Sequence, residues 1–342
     1  MRQVVPTRRR LDGPAGWLSP ALVAMLFVTP ITACTEIYDA GSTGPRGLLP
    51  VDARNPVVIF NDSQYDNWQG EYAVLLAAAG SLTLDGIVVV TGSNANNIDD
   101  NLAERRNLVA AARKSGMRNI PDPIKSVGPQ LVRPANGDID ATVGNNSDGA
   151  FFIVNESSRL SLPYRPLALV MGSRLTDVAD AYLIDRTVVD RVVVVSELGS
   201  LTASGAAMSS PNGEMDPWAD LIVTSRFRFV QVSAYYDQTT DVPPSRVLPN
   251  NAFGTWIASR RSQIWNLPQA ADQVGVAAVA LSSFVVAVEK VSASGSVPAG
   301  ATVGPALTDD PNGPLWLVRQ IAPQVAINRF WEILLDSRTY AP

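Results

Sequence analysis

Between Phe60 and Trp68 the chain runs Phe-Asn-Asp-Ser-Gln-Tyr-Asp-Asn-Trp, which crowds the carboxylates of Asp62 and Asp66 and the carboxamide of Asn67 around one short turn. Oxygen donors grouped in this way suit a hard cation such as calcium, which takes roughly six to eight of them. The same residue types also cap helices, accepting orphan N–H groups of a first turn and gaining from the helix dipole. Taken alone, the turn leaves both readings open. Three further positions invite the same question: Thr176 before Asp177, Asp216 before Pro217, and Asp272 at the head of the apolar run Val274–Val288. The first two are good helix starts, and Asp272 is either another cap or a carboxylate with a reason to stand beside apolar residues. Nitrogen chemistry is missing: the 342 residues contain no histidine, and Cys34 is the single cysteine. There can be no Ser-His-Asp or Cys-His pair, no HExxH zinc site, no imidazole acid or base and no disulfide within one chain.

These residues need elements to position them. Val57-Val58-Ile59-Phe60 is a continuous apolar run of the kind found in buried parallel strands. A helix is predicted from about Asp66 to Ala79, then a strand over Gly86–Val90, a helix over Asp99–Ser115, a strand over Leu167–Met171, a helix over Thr176–Ile184 and a strand over Arg191–Val195. Strand and helix in alternation predict an α/β fold with a mostly parallel, Rossmann-like open sheet flanked by helices. In such sheets ligands sit beyond the carboxyl ends of the strands, so chemistry belongs in the loops after Phe60, Val90, Met171 and Val195. Ala135–Gly149 and Ser196–Gly213 interrupt the alternation and read as lids over a site or as plain surface loops. No GxGxxG or GxxxxGK[ST] loop is present, which removes the main support for dinucleotide and nucleoside triphosphate folds.

Several of these stretches resemble motifs of the inosine-uridine preferring nucleoside hydrolase family. That family opens with a strand ending in Asp-x-Asp-Pro-Gly-x-Asp-Asp-Ala. Asp62 and Asp66 match its second and third aspartates, while Phe60 and Asn67 replace the first and fourth. Val90-Thr91-Gly92-Ser93-Asn94 is similar to the Thr-Val-x-Gly-Asn strand end, and Asn107 falls where a helix asparagine is usual. Ile120-Pro121 and Gly128–Pro134 resemble the Pro-Val and Pro-Leu-Val-Arg-Pro segment. Gly172-Ser173-Arg174-Leu175-Thr176-Asp177 is similar to Gly-Pro-Leu-Thr-Asn, with one residue inserted. Gly213–Asp220 resembles Glu-Phe-Asn-x-x-x-Asp-Pro, with Asp216 for the asparagine, and Ala271-Asp272-Gln273-Val274 resembles His-Asp-Pro-Leu without the histidine.

The resemblance implies hydrolysis of the N-glycosidic bond of a ribonucleoside or related riboside with one calcium ion as cofactor. The implied metal ligands are Asp62, Asn67, the carbonyl of Thr176 and Asp272. Asp66 becomes the general base acting on a water held by the ion, with an oxocarbenium-like transition state. Glu214, Asp216 and Asn94 fall in the implied substrate-binding set. The departures matter chemically: Phe60 and Asn67 leave less negative charge for calcium, and Ala271 stands where members often place a histidine near the leaving base. Protonation of that base is left to Tyr235, Tyr236, a protonated acid or solvent. The alternative is a catalytically impaired nucleoside- or sugar-binding, or structural, surface lipoprotein on the same fold. Many members are dimers or tetramers, which extends to a homo-oligomer here.

The N-terminus supplies an address. Arg8-Arg9-Arg10 precedes the apolar stretch Trp17–Thr32, which is too short and too interrupted by Pro20 and Pro30 for a good membrane span. Ile31-Thr32-Ala33-Cys34 resembles the lipobox of bacterial lipoproteins, which implies a signal peptide over 1–33 and a lipidated (palmitate-bearing) Cys34. Thr35 rather than Asp follows, as in lipoproteins sorted to the outer membrane. The other readings are an ordinary signal peptidase site followed by a buried free cysteine, or a plain N-terminal anchor. A tether over 34–55 and one domain over 56–342 complete the expected organisation. The net charge of −5 becomes about −8 once Arg2, Arg8, Arg9, Arg10 and Asp12 are removed, a sign that repels phosphate backbones and disfavours nucleic acid as a partner.

Overall fold

The computed structural model describes residues 47–62, 68–91, 98–196, 211–232, 247–264, 273–294 and 306–340. Among the described residues nine strands lie in one sheet: β1 (Pro56–Asn61), β2 (Thr83–Val90), β3 (Pro123–Ser126), β4 (Leu167–Gly172), β5 (Val192–Ser196), β6 (Arg228–Val232), β7 (Val285–Ser294), β8 (Ala306–Asp309) and β9 (Leu315–Ile321). Their order is β3-β2-β1-β4-β5-β6-β9-β7-β8. Pairing is parallel from β3 through to β9, and β7 and β8 then add an antiparallel edge.

The apolar run of β1 lacks polar alternation because both of its sides are covered. Val57 and Ile59 join one core cluster, Val58 and Phe60 the other. The first is closed by α1 (Gln69–Ala78), α2 (Ile98–Lys114), α8 (Ala252–Ile264), α9 (Gln273–Ala280) and α10 (Pro323–Leu335). The second is closed by α3 (Asp148–Leu160), α4 (Thr176–Ile184), α5 (Val188–Arg191) and α7 (Pro217–Arg226). A short helix, α6 (Pro211–Glu214), precedes α7. Helices on both faces of a parallel sheet require this doubly wound arrangement, and the α/β expectation holds.

Three local features differ from the sequence reading. Residues 47–55, assigned there to the tether, are packed into the domain: Leu49 and Val51 are buried in the first cluster, and Asn55 donates to the Pro166 carbonyl at 2.7 Å. The apolar run Val274–Val288 is two elements, α9 and the start of β7, parted by a turn at 281–284. Residues 145–147, within the stretch read as a lid or surface loop, are tied down by Asp180 of α4. Its carboxylate accepts from the N–H groups of Asn145 (2.8 Å), Asn146 (3.2 Å) and Ser147 (2.8 Å) and from the Ser147 hydroxyl (2.9 Å). Among the described residues no helix is long and apolar enough to cross a membrane.

Candidate active site

Strand order reverses between β1 and β4. From β1 the chain winds outward through β2 to β3, then returns to place β4 on the other side of β1. At such a switch point the two crossovers leave in opposite directions and open a crevice at the carboxyl edge, where α/β proteins bind ligands. Asn61 and Gly172 are paired across it. The chain leaves through Asp62 on one side and through Ser173-Arg174-Leu175 to the first residue of α4, Thr176, on the other. Two of the candidate metal ligands, Asp62 and Thr176, thus belong to the two strand exits that form the crevice.

Each exit is held by polar side chains. The Asp62 carbonyl accepts from Asn101 Nδ2 of α2 at 2.9 Å. Beneath it, Asn61 is fully buried. Its Oδ1 accepts from Arg105 Nη2 (2.8 Å) and Nε (3.2 Å), and its amide meets that of Gln69 at 3.0 Å. Gln69 bridges the two strands: turned so that its nitrogen faces the Phe60 carbonyl (3.0 Å), its amide oxygen takes the Gly172 N–H (3.1 Å). Trp68, the cap of α1, adopts φ 69°, in the left-handed region that bulky residues rarely enter, with its ring against Phe330 at 4.5 Å.

On the β4 side, Asp216 is the N-cap of α7 and accepts from Ala219 N–H at 3.1 Å. Its other oxygen accepts from the Thr176 hydroxyl at 2.6 Å and from Leu131 N–H at 2.9 Å. Thr176 and Asp216 are therefore in direct contact, and the Asp216 carboxylate stitches together α4, α7 and the 128–131 segment. Arg174 donates to the Gly128 carbonyl, and Gln130 to that of Met215. Arg133 lies over the Trp218 ring at 5.0 Å. Burial pushes the Asp216 carboxyl up, opposed by its bonds from Thr176, Leu131 and Ala219. Asp177, where the family motif has Asn, is buried against the hydroxyls of Ser126 (3.0 Å) and Ser147 (2.8 Å), and burial raises its pKa as well. One turn beyond Asp216, Asp220 is fully buried with no hydrogen-bond partner for either oxygen. Burial, reinforced by the Asp216 charge, pushes its carboxyl well above the ordinary range.

Asp66, Asn67, Asn94, Asp272 and Cys34 lie outside the described residues, as do Tyr235, Tyr236 and Ala271. Glu214 ends α6, and its side chain also lies outside them. Phe60, standing for the motif's first aspartate, is a fully buried core side chain. Asn107 is exposed, and Asn101, six residues earlier on α2, is the buried asparagine that reaches the Asp62 carbonyl. The network Asn61–Gln69–Glu71–Arg105 had no signature in sequence: nothing there says which of the adjacent Arg105 and Arg106 turns inward, yet Arg105 is 1% exposed. Among the described residues no cluster of three or more acidic, histidine or cysteine side chains could by itself hold a metal ion.

No protein-family model matches the sequence, and no curated protein matches it. Solved structures do match in fold. A purine-preferring ribonucleoside hydrolase from Gardnerella vaginalis superposes with a TM-score of 0.57 at 15% identity, over 84% of this chain and 99% of the other. A plant nucleoside hydrolase gives 0.55 at 15% identity, over 82% and 99%. An inosine-uridine preferring nucleoside hydrolase from Bacillus anthracis gives 0.53 at 13% identity, over 83% and 99%. At these identities the likeness is one of fold, and it spans essentially the whole of each neighbour.

Proposed function

We propose that this chain, which has the fold of the nucleoside hydrolases, cleaves the N-glycosidic bond of a ribonucleoside or related riboside. The observation that carries the reading is the coincidence of the strand-order reversal at β1/β4 with Asp62 on one exit and Thr176 on the other. The crevice lies where a ligand binds in a doubly wound sheet, and motif residues stand at both of its edges.

Asp62, Asn67, the Thr176 carbonyl and Asp272 would hold calcium. The set is all oxygen, as a hard cation prefers, and the chain has no histidine to compete. When bound, the ion supplies positive charge that orients sugar hydroxyls and makes water more acidic. Asp66 takes the proton of the attacking water on its carboxylate. Asp62 and Asp66 offset positive charge that develops on the sugar as the bond to the base breaks. Glu214, Asp216 and Asn94 are assigned to the sugar hydroxyls. Asp216 is 1% exposed and its three hydrogen bonds come from the protein's own groups, so its place in that set rests on the motif alone. Without an imidazole to protonate the base, ribosides whose leaving group departs unprotonated should react fastest.

The test is turnover of a nucleoside panel and of nitrophenyl riboside by the purified mature chain, with and without a chelator. The expected result is calcium-dependent release, fastest for nitrophenyl riboside, with kcat of Asp66→Ala lower by about a hundredfold or more. No turnover of any riboside, or an Asp66→Ala variant as active as the wild type, rules the reading out. We further propose that the chain is exported and anchored through a lipid on Cys34 to the outer membrane.

A further inference from the structure

Five polar side chains lie buried together under the β1 exit: Asn61, Gln69 and Asn101 are 0% exposed, Arg105 1% and Glu71 3%. Arg105 delivers two N–H groups to Asn61 Oδ1, and its Nη1 stands 3.6 Å from Glu71 Oε2. Glu71 Oε1 in turn accepts from Trp256 Nε1 at 3.1 Å. Asn101, four residues before Arg105 and so on the same face of α2, donates to the Asp62 carbonyl. One helix face therefore grips two successive residues as the chain leaves the sheet, the first by its side chain and the second by its backbone.

The grip is built into the neighbouring helix as well. Gly70 of α1 faces the guanidinium so closely that a Cβ there would lie 2.7 Å from Nη1 and 3.0 Å from Leu108 Cδ2. Ala is the better helix former, so glycine here makes room for Arg105 at a cost to α1. A buried ion pair is seldom worth more to stability than apolar side chains of similar volume, because desolvation offsets the attraction. What this network does supply is a fixed direction for the Asn61 side chain and the Asp62 peptide, at the edge of the crevice. Leu108, Val109 and Ala112 of the same helix belong to the apolar core cluster.

We propose that Arg105 and Asn101 are positioning residues: they hold the end of β1 so that the Asp62 carboxylate enters the crevice in one orientation. The catalytic consequence rests on the hydrolase reading above, whereas the clamp itself can be read without turnover. In the full chain, amide hydrogen exchange is compared for wild type, Asn101→Ala, Arg105→Lys and Gly70→Ala. Asn101→Ala deletes a single hydrogen bond and keeps the fold. Gly70→Ala leaves the guanidinium charge in place and displaces it, along with the Leu108 side chain. Each variant should raise exchange of the Asn61 and Asp62 amides by about five- to tenfold, with β5 and β6 unchanged. On nitrophenyl riboside each should lower kcat more than it raises KM.

Exchange that rises equally across the sheet, or does not rise at Asn61 and Asp62, overturns the proposal and leaves the network a matter of global stability. A kcat unchanged in all three variants also overturns it. If the wild type turns over no riboside, the hydrolase reading fails, and the exchange pattern alone decides the clamp.

Discussion

Asp220 is the residue whose chemistry is least compensated. It lies on α7 one turn from Asp216, fully buried, with neither oxygen bonded, and its pKa is raised by burial first and by the Asp216 charge second. A carboxyl with a raised folded pKa contributes its full stability below the unfolded value of about 4 and loses it as pH rises toward the folded value. Asp220→Asn abolishes that titration. The variant should match the wild type near pH 4 and exceed it at pH 8, by on the order of 1–3 kcal/mol or a few degrees in Tm. Thermal unfolding across pH 4–8 measures this, and parallel curves for the two proteins would contradict it. Asp216 differs by its bonds. Three donors converge on it, so its carboxylate is oriented while that of Asp220 is not. Asp216 could be read from sequence as a helix cap, whereas Asp220 stood there only as the last residue of the Gly213–Asp220 stretch. The contact between Asp216 and Thr176, 40 positions away, could not be read there, because it depends on how α4 and α7 lean together over the sheet.

At the scale of elements, the parallel strands and their helices were legible because each carries its own periodicity or apolar run. Helix α4 begins and ends where the sequence places it, at Thr176 and Ile184. The segment before α3 was not legible. Its Gly, Asn and Asp residues look like a free loop, yet Asp180 accepts four hydrogen bonds from residues 145–147, and Ser147 caps α3. Bonds to a charged acceptor contribute more than neutral ones. Asp180→Ala should therefore cost at least about 3 kcal/mol and open a protease site between Thr142 and Asp148. Limited proteolysis of the variant against the wild type checks this, and equal resistance would show that the loop is held by other contacts. The antiparallel β7–β8 edge escaped the sequence reading for a related reason. β8 has only four residues, and the apolar residues of α9 and of the start of β7 read as one run from Val274 to Val288, broken only by Ser282-Ser283.

At the scale of the whole molecule, the anchoring proposed above would rest on Cys34, the single cysteine of the sequence. Cys34→Ser should move the chain from the membrane fraction to the soluble periplasmic fraction without altering thermal unfolding of the folded domain. Fractionation of cells expressing the two forms tests this, and a variant that stays with the membrane would exclude lipidation at that residue as the anchor.

Sequence alone determined the α/β class and the parallel core of the sheet, since apolar runs and helical periodicity are local properties. It also determined what chemistry is closed to the chain, because an absent histidine is absent from every fold. The resemblance in its motifs pointed to the fold that superposes on the nucleoside hydrolases. Only the tertiary structure decided which polar residues serve the crevice. Asn101 is buried on the Asp62 carbonyl while Asn107 faces outward, Arg105 is buried while Arg106 is exposed, and Phe60 has become core. Spacing along a helix says which residues share a face. Which face turns inward beneath the β1 exit is fixed by the packing of α1, α2 and the sheet, and by the space that Gly70 leaves for a guanidinium.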